Sequence, residues 1–236
     1  MMLFFVGIVY LNQGIAQKVI PIQALNSSSP KEDSSIAALR VTGNKQLPRG
    51  YEKEALIALA HFPELKNVPI KFKVIKSFAT LKTRPAFWSL FKPKGKRSYV
   101  ITISNQTQQK LMPISFEYLP ELARIGIIGH ELSHVSDFSK KTAWQWMMVA
   151  IGHLSRHFMD SLEFHTDKIC IEHGLGNELQ TWSRFVRNTM HTTYWRGADF
   201  VNEANNKFER YMNPATIDKF MADEIRVPNS TTVNAH

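Results

Sequence analysis

Residues 129–135 read Gly129-His130-Glu131-Leu132-Ser133-His134-Val135, and the rest of the chain is best understood outward from them. On a helix, residues four apart lie on one face, one turn above the other. His130 and His134 then project two imidazoles side by side, at a spacing that lets both bind one metal ion. Glu131 sits beside that ion, where a carboxylate can take a proton from water held there. This is the chemistry of an H-E-x-x-H helix. The motif is short, and a random ordering of the same composition contains it roughly two times in a hundred. Its surroundings must decide.

Those surroundings favour a helix. Leu122, Ile125, Ile128, Leu132 and Val135 recur at threes and fours, which predicts an amphipathic helix carrying the motif. Pro120 and Glu121 supply the proline and the acid that a helix start prefers. Gly126 and Gly129 weaken the helix by about 1 kcal/mol each, but they admit close packing against a neighbour.

Upstream, residues 52–60 are good helix formers bounded by Pro48 and Pro63. Residues 69–76 then alternate, with Ile70, Phe72 and Val74 on one side and Lys71 and Lys73 on the other, as in a half-buried strand. Residues 78–83 predict a second strand stopped by Arg84-Pro85. Residues 97–104, rich in β-branched side chains, predict the strongest one. Between these two, residues 87–91 are an apolar loop; after the second, residues 105–110 are a polar turn. Downstream the chain reads as helical. One helix covers 142–157, with Trp144, Trp146, Met147, Met148, Val149 and Ile151. Another covers 160–173 and closes at Gly174 and Gly176. Asn177 caps a third to about 188, a fourth spans 198–212, and Asn213-Pro214 opens a last one through 220. The fold class expected is α+β: a small antiparallel or mixed sheet followed by a helical core built around the motif helix.

The apolar run within 142–157 is too short to span a bilayer. Its bland reading is a core helix; its sharper reading is a helix dipping into a membrane surface. The formal charge of +9 and pI near 9.6 invite an anionic partner. The basic residues, however, are spread along the chain. Their densest group (Lys92, Lys94, Lys96 and Arg97) is interleaved with Pro93 and Gly95 and reads as a solvated hairpin tip, so no nucleic-acid partner is expected. The lone Cys170 excludes an internal disulfide and a cysteine-based zinc site. Any metal must be held by His and carboxylate.

Residues 1–16 carry no charged side chain, and their apolar part, 3–11, suits a signal peptide cleaved before Gln17. Export, periplasmic or secreted, is the expectation if this segment is a signal peptide, and membrane association is the expectation otherwise. Residues 17–44 form a linker or N-terminal extension that is polar over 26–35. Residues 45–225 form the folded domain, and 226–236 a disordered tail.

A catalytic zinc commonly has three protein ligands and a water. Two histidines leave one ligand to find. Glu163-Phe164-His165-Thr166-Asp167 places two carboxylates four apart on a helix. Glu163 can be the third ligand. Asp167, one turn on, can accept the remaining N–H of a ligating histidine and fix its tautomer. The two motifs together resemble those of the gluzincin metallopeptidases, and most closely their HtpX-like, prenyl-protease branch. That resemblance covers about residues 45–220, and its specific part is confined to the two motifs. It implies a zincin-like domain in which His130, His134 and Glu163 bind one Zn2+, Glu131 is the general base, and Asp167 orients His130. The chain departs from the membrane-embedded members in lacking a full transmembrane helix, so it resembles a compact soluble version. The implied activity is a zinc endopeptidase acting on a peptide or protein.

Other residues compete for these roles. Asp137 lies late on the motif helix, His165 points away from the two carboxylates, and His153 and His157 lack an accompanying acid. A metzincin completion would need histidine where Lys140 stands. For stabilising the oxyanion, the downstream candidates are His191, Tyr194, Arg196 and Tyr211, with Tyr194 and His191 ahead because they lie in a loop-like stretch. Residues 99–103 are a candidate edge strand for binding extended peptide. The alternatives to an endopeptidase are a zinc hydrolase of other substrates, an inactive metal-binding relative, and a module making peripheral contact with a membrane.

Overall fold

The computed structural model describes residues 43–86, 88–89, 92–93, 95–197 and 209–226. Its elements, in chain order, are β1 (Lys45–Gln46), α1 (Glu52–Ala60), β2 (Ile70–Ile75), β3 (Leu81–Pro85), β4 (Tyr99–Ser104), α2 (Glu121–Lys140), α3 (Ala143–Gly152), α4 (Arg156–Glu172), α5 (Gly176–Thr189) and α6 (Pro214–Arg226). The fold is α+β, with one small mixed sheet and several helices. The leader, the linker up to residue 42 and the tail from residue 227 lie outside the described residues, and residue 226, expected in the tail, is helical.

The sheet runs in the order β1-β2-β4-β3, with β1 and β4 parallel to β2 and β3 antiparallel to β4. The strand over 97–104 is therefore central. Both of its edges are occupied, by β2 and β3, and all six residues of β4 are buried. This corrects the placement of residues 99–103 at an edge. Strand β3 takes that position instead, and it accommodates Pro85 there because an edge proline removes no ladder bond on its free side. On the outer face Lys71 and Arg84 flank Val100, and Lys73 and Lys82 flank Thr102. Long side chains in register beside a short one shield it from water.

Helix α2 is less one-sided than its periodicity suggests. Every residue from Ile125 to Ser136 is buried, whereas Leu122 is exposed. Neighbours close on it from all sides: α1, α4, α5 and the strand β3. Its two glycines explain how. A Cβ at Gly126 would lie 2.3 Å from the Glu178 carbonyl carbon and oxygen and 2.6 Å from Leu179 N, all backbone of α5. A Cβ at Gly129 would lie 2.5 Å from Leu175 Cδ1, the end of a side chain. Gly126→Ala must therefore push α2 and α5 apart, and a loss of about 3 kcal/mol is expected. Gly129→Ala should cost less, since Leu175 can turn. Thermal denaturation distinguishes the two, and equal midpoints would contradict the close crossing.

The segment 142–157 breaks where one helix was expected. Thr142 opens α3 with a capping box, its Oγ1 accepting from Gln145 N while its own N–H donates to Gln145 Oε1. Ser155 then caps a new helix, accepting from Phe158 N, so α4 starts at Arg156 instead of 160. The ring of Phe158 occupies the space a side chain on Gly152 would need. Asn177 does not cap α5; Leu175 stands there and Asn177 lies in the first turn. Asn213 does cap α6, accepting from Thr216 N at 2.9 Å, and α6 runs on to Arg226. Of the helix expected over 198–212, residues 198–208 lie outside the described set, and 209–212 are not helical. Arg97 is not on a solvated tip. It is buried, and its guanidinium donates to the carbonyls of Lys141 (2.8 Å) and Lys92 (3.2 Å), tying the β3–β4 hairpin to the end of α2. Among the described residues, no helix is long and apolar enough to cross a membrane.

Candidate metal centre

Helices α2 and α4 pack side by side and carry the two motifs into contact. Position 130 and position 134 share the face of α2 that meets α4, and on α4 positions 163, 166 and 167 share the facing surface. The result is a buried group in which His130, His134 and Glu163 each offer one ligand atom, all within 4.8 Å of one another. Glu163 Oε2 lies 3.1 Å from His130 Nε2 and 3.3 Å from His134 Nε2. Ligand atoms held about 2.0–2.1 Å from a tetrahedral zinc are about 3.3 Å apart along each edge of the tetrahedron. The donor set and its spacing fit a divalent metal.

The other ring nitrogens fix the tautomers. His130 Nδ1 donates to Asp167 Oδ1 at 2.7 Å, which leaves its Nε2 to face Glu163. His134 Nδ1 lies 3.1 Å from Thr166 Oγ1, and that hydroxyl donates to the Leu162 carbonyl at 2.8 Å. Its single proton is thus committed, so it accepts from Nδ1–H and leaves the Nε2 lone pair for the metal. Thr166 is the residue the sequence reading overlooked, although its spacing of three from Glu163 was a usable signal. Thr166→Val should lower metal affinity about 10–100-fold without unfolding the protein, as removal of such partners commonly does. A competition titration against a chromophoric chelator measures this, and unchanged affinity would remove Thr166 from the site.

Glu131 is buried next to the group. Its Oε2 has no hydrogen-bond partner among the described residues, while its backbone carbonyl accepts from Thr83 Oγ1 of β3 at 3.2 Å. Burial raises the Glu131 pKa, and the charges of His134 and His130 oppose that only in part. A carboxylate shifted upward is a better base near neutral pH. Glu163 moves the other way: burial pushes it up, but His134 and His130 outweigh burial and hold it far below the usual carboxylate range.

Asp167 does a second job. Its Oδ2 accepts from Met212 N at 2.7 Å, fastening residues 209–213 to α4. Two turns earlier, Asp160 accepts from Arg196 Nη2 at 2.7 and 2.8 Å and from Arg210 Nε at 2.8 Å. These bonds carry the ring of Tyr211 to 5.7 Å from that of His130, and the ring of Trp182 packs against both, 5.7 Å from Tyr211 and 6.3 Å from His130. Burial, with the charge of Glu163, keeps the Tyr211 phenol protonated well above its ordinary pKa. Of the four downstream candidates, Tyr211 is the one whose ring abuts a triad histidine. Tyr194 and His191 are exposed in the turn after α5, and Arg196 is engaged with Asp160. The rival ligands are elsewhere too: Asp137 pairs with Lys141 at 2.5 Å, and His153, His157 and His165 are exposed.

Comparison with family models, with curated proteins and with solved structures gives no match. The chemistry of the site rests on its own residues.

Proposed function

We propose that the protein is a zinc-dependent endopeptidase. The observation that carries this reading is a buried carboxylate oxygen with no partner among the described residues, Glu131 Oε2, beside a His130–His134–Glu163 group of metal-ligand spacing. When bound, zinc supplies Lewis acidity, polarising a carbonyl and bringing the pKa of water from 15.7 towards about 7. His130, His134 and Glu163 would hold it, and Asp167 and Thr166 keep both imidazoles in the tautomer that leaves Nε2 free to bind. Glu131 Oε2 takes the proton of the attacking water as the C–O bond forms. It then returns that proton to the amine nitrogen as the C–N bond breaks. Tyr211, whose ring packs 5.7 Å from that of His130, is the proposed hydroxyl donor to the developing oxyanion. Among the described residues β3 is an edge strand, so an extended peptide can add to it, and Thr83 ties it to the base-bearing turn. Incubation with a panel of peptides and esters tests the reading. New amine termini that vanish with chelator support it; ester cleavage alone, or no cleavage, excludes a peptidase.

The proton inventory gives a further expected outcome. Burial pushes His130 down, but the carboxylates of Asp167 and Glu163 outweigh it, so in the metal-free fold its pKa lies well above the ordinary 6.5. That contribution to stability is fully present below the unfolded pKa and fades as pH rises through the folded value. Metal binding needs the Nε2 lone pair, so affinity should rise with pH and uptake should release protons. Melting curves of chelated and zinc-loaded protein should diverge progressively as the pH rises above the ordinary histidine range; parallel curves would contradict the assignment.

A further inference from the structure

We propose that α3 and the adjoining β3–β4 hairpin form a docking surface for an anionic membrane. Trp144, Met147, Met148 and Ile151 lie on one helical face at spacings of three and four, and Leu154 follows in the turn beyond. Their exposures run from 46% for Met147 to 90% for Leu154. The opposite side of α3 is fastened down: Val149 is buried, and Trp146 packs 4.4 Å from Phe138, which stacks at 5.4 Å on His134. The helix therefore leans on the motif helix α2 through Trp146 and Phe138 while an apolar stripe faces outward. A contiguous apolar surface of this kind marks an interaction site.

Charge identifies the occupant. No Asp or Glu occurs over residues 138–159, where Lys140, Lys141 and Arg156 bracket the stripe. The Arg97–Lys141 hydrogen bond brings the hairpin alongside, with Trp88, Lys92 and Lys96 exposed on it. Residues 65–116 likewise contain no Asp or Glu. The basic residues are dispersed and Lys141 is paired with Asp137, but these two stretches hold no acid to neutralise Lys92, Lys96, Lys140 and Arg156. A basic rim around an apolar stripe suits a lipid surface, whose headgroups take the cations and whose acyl boundary takes the apolar side chains. Two other occupants fit less well. Met147, Met148, Ile151 and Leu154 offer nothing to a nucleic acid. In a two-fold dimer a second copy would set the same cations against each other. With ten residues, α3 is about 15 Å long, so it lies in the interface instead of spanning it.

Flotation of the full chain with vesicles tests this proposal, which stands apart from the metal reading. Vesicles of phosphatidylcholine with roughly one-third phosphatidylglycerol should carry the protein up, and pure phosphatidylcholine should carry much less. Met147→Asp with Ile151→Asp should cut binding at least about tenfold. Lys92→Glu with Lys96→Glu should cut binding to anionic vesicles about fivefold or more per charge. These side chains are exposed, so an unchanged melting midpoint is expected and verifies the fold. No binding to anionic vesicles, or binding indifferent to the aspartate pair, would overturn the proposal. Binding of a short DNA duplex in place of vesicles would overturn it in favour of nucleic acid. A dimer that dissociates on Ile151→Asp, without vesicle binding, would overturn it in favour of self-association.

Discussion

Glu131→Gln should keep its metal and lose peptide hydrolysis by about 10²–10⁴-fold, the range for removing a positioned acid–base group. The substitution preserves shape, and His130, His134 and Glu163 remain in place. What it removes is the ability of Oε2 to take a proton. The folded state should not suffer. Burial disfavours the Glu131 carboxylate, and one of its oxygens has no hydrogen-bond partner among the described residues, so a neutral amide there is expected to leave the melting midpoint unchanged or raise it. Metal content and turnover measured on the same sample check both halves. Retained turnover would remove Glu131 from the role of base.

Glu163→Ala should weaken metal binding by more than about 100-fold, beyond what loss of an outer partner such as Thr166 costs. It takes away one of three protein ligands and leaves two imidazole Nε2 atoms facing a gap. In the metal-free protein the same change also breaks a buried ion pair, for which a loss of about 3–5 kcal/mol is expected. Asp167→Asn provides the comparison, since it alters the partner of His130 Nδ1 without touching a ligand. Chelator competition orders the variants. If Glu163→Ala binds metal as tightly as Asp167→Asn, the third ligand lies elsewhere.

Much of this arrangement was legible in the residues. The alternation of Ile70, Phe72 and Val74 located β2, and the spacings His130–His134 and Glu163–Asp167 located the two helices that meet. Strand order was not legible, because pairing partners leave no mark within a strand. In hindsight the run Tyr-Val-Ile-Thr-Ile-Ser, without alternation, is the pattern of a strand buried on both faces, not of an edge. The break before α4 hid behind a weak signal, Ser155, inside an apolar stretch. Tyr211 was undervalued for a different reason. Its position depends on a hydrogen bond from Met212 N to Asp167, two residues 45 apart in sequence, and no local pattern reports such a bond.

The central claim is that His130, His134 and Glu163 hold one zinc ion. Elemental analysis of the purified full chain, beside a folded His134→Ala variant, tests it most directly. One zinc per chain in the parent and none in the variant is the expected result. Absence of stoichiometric metal in the parent, or equal metal in both, would contradict the claim.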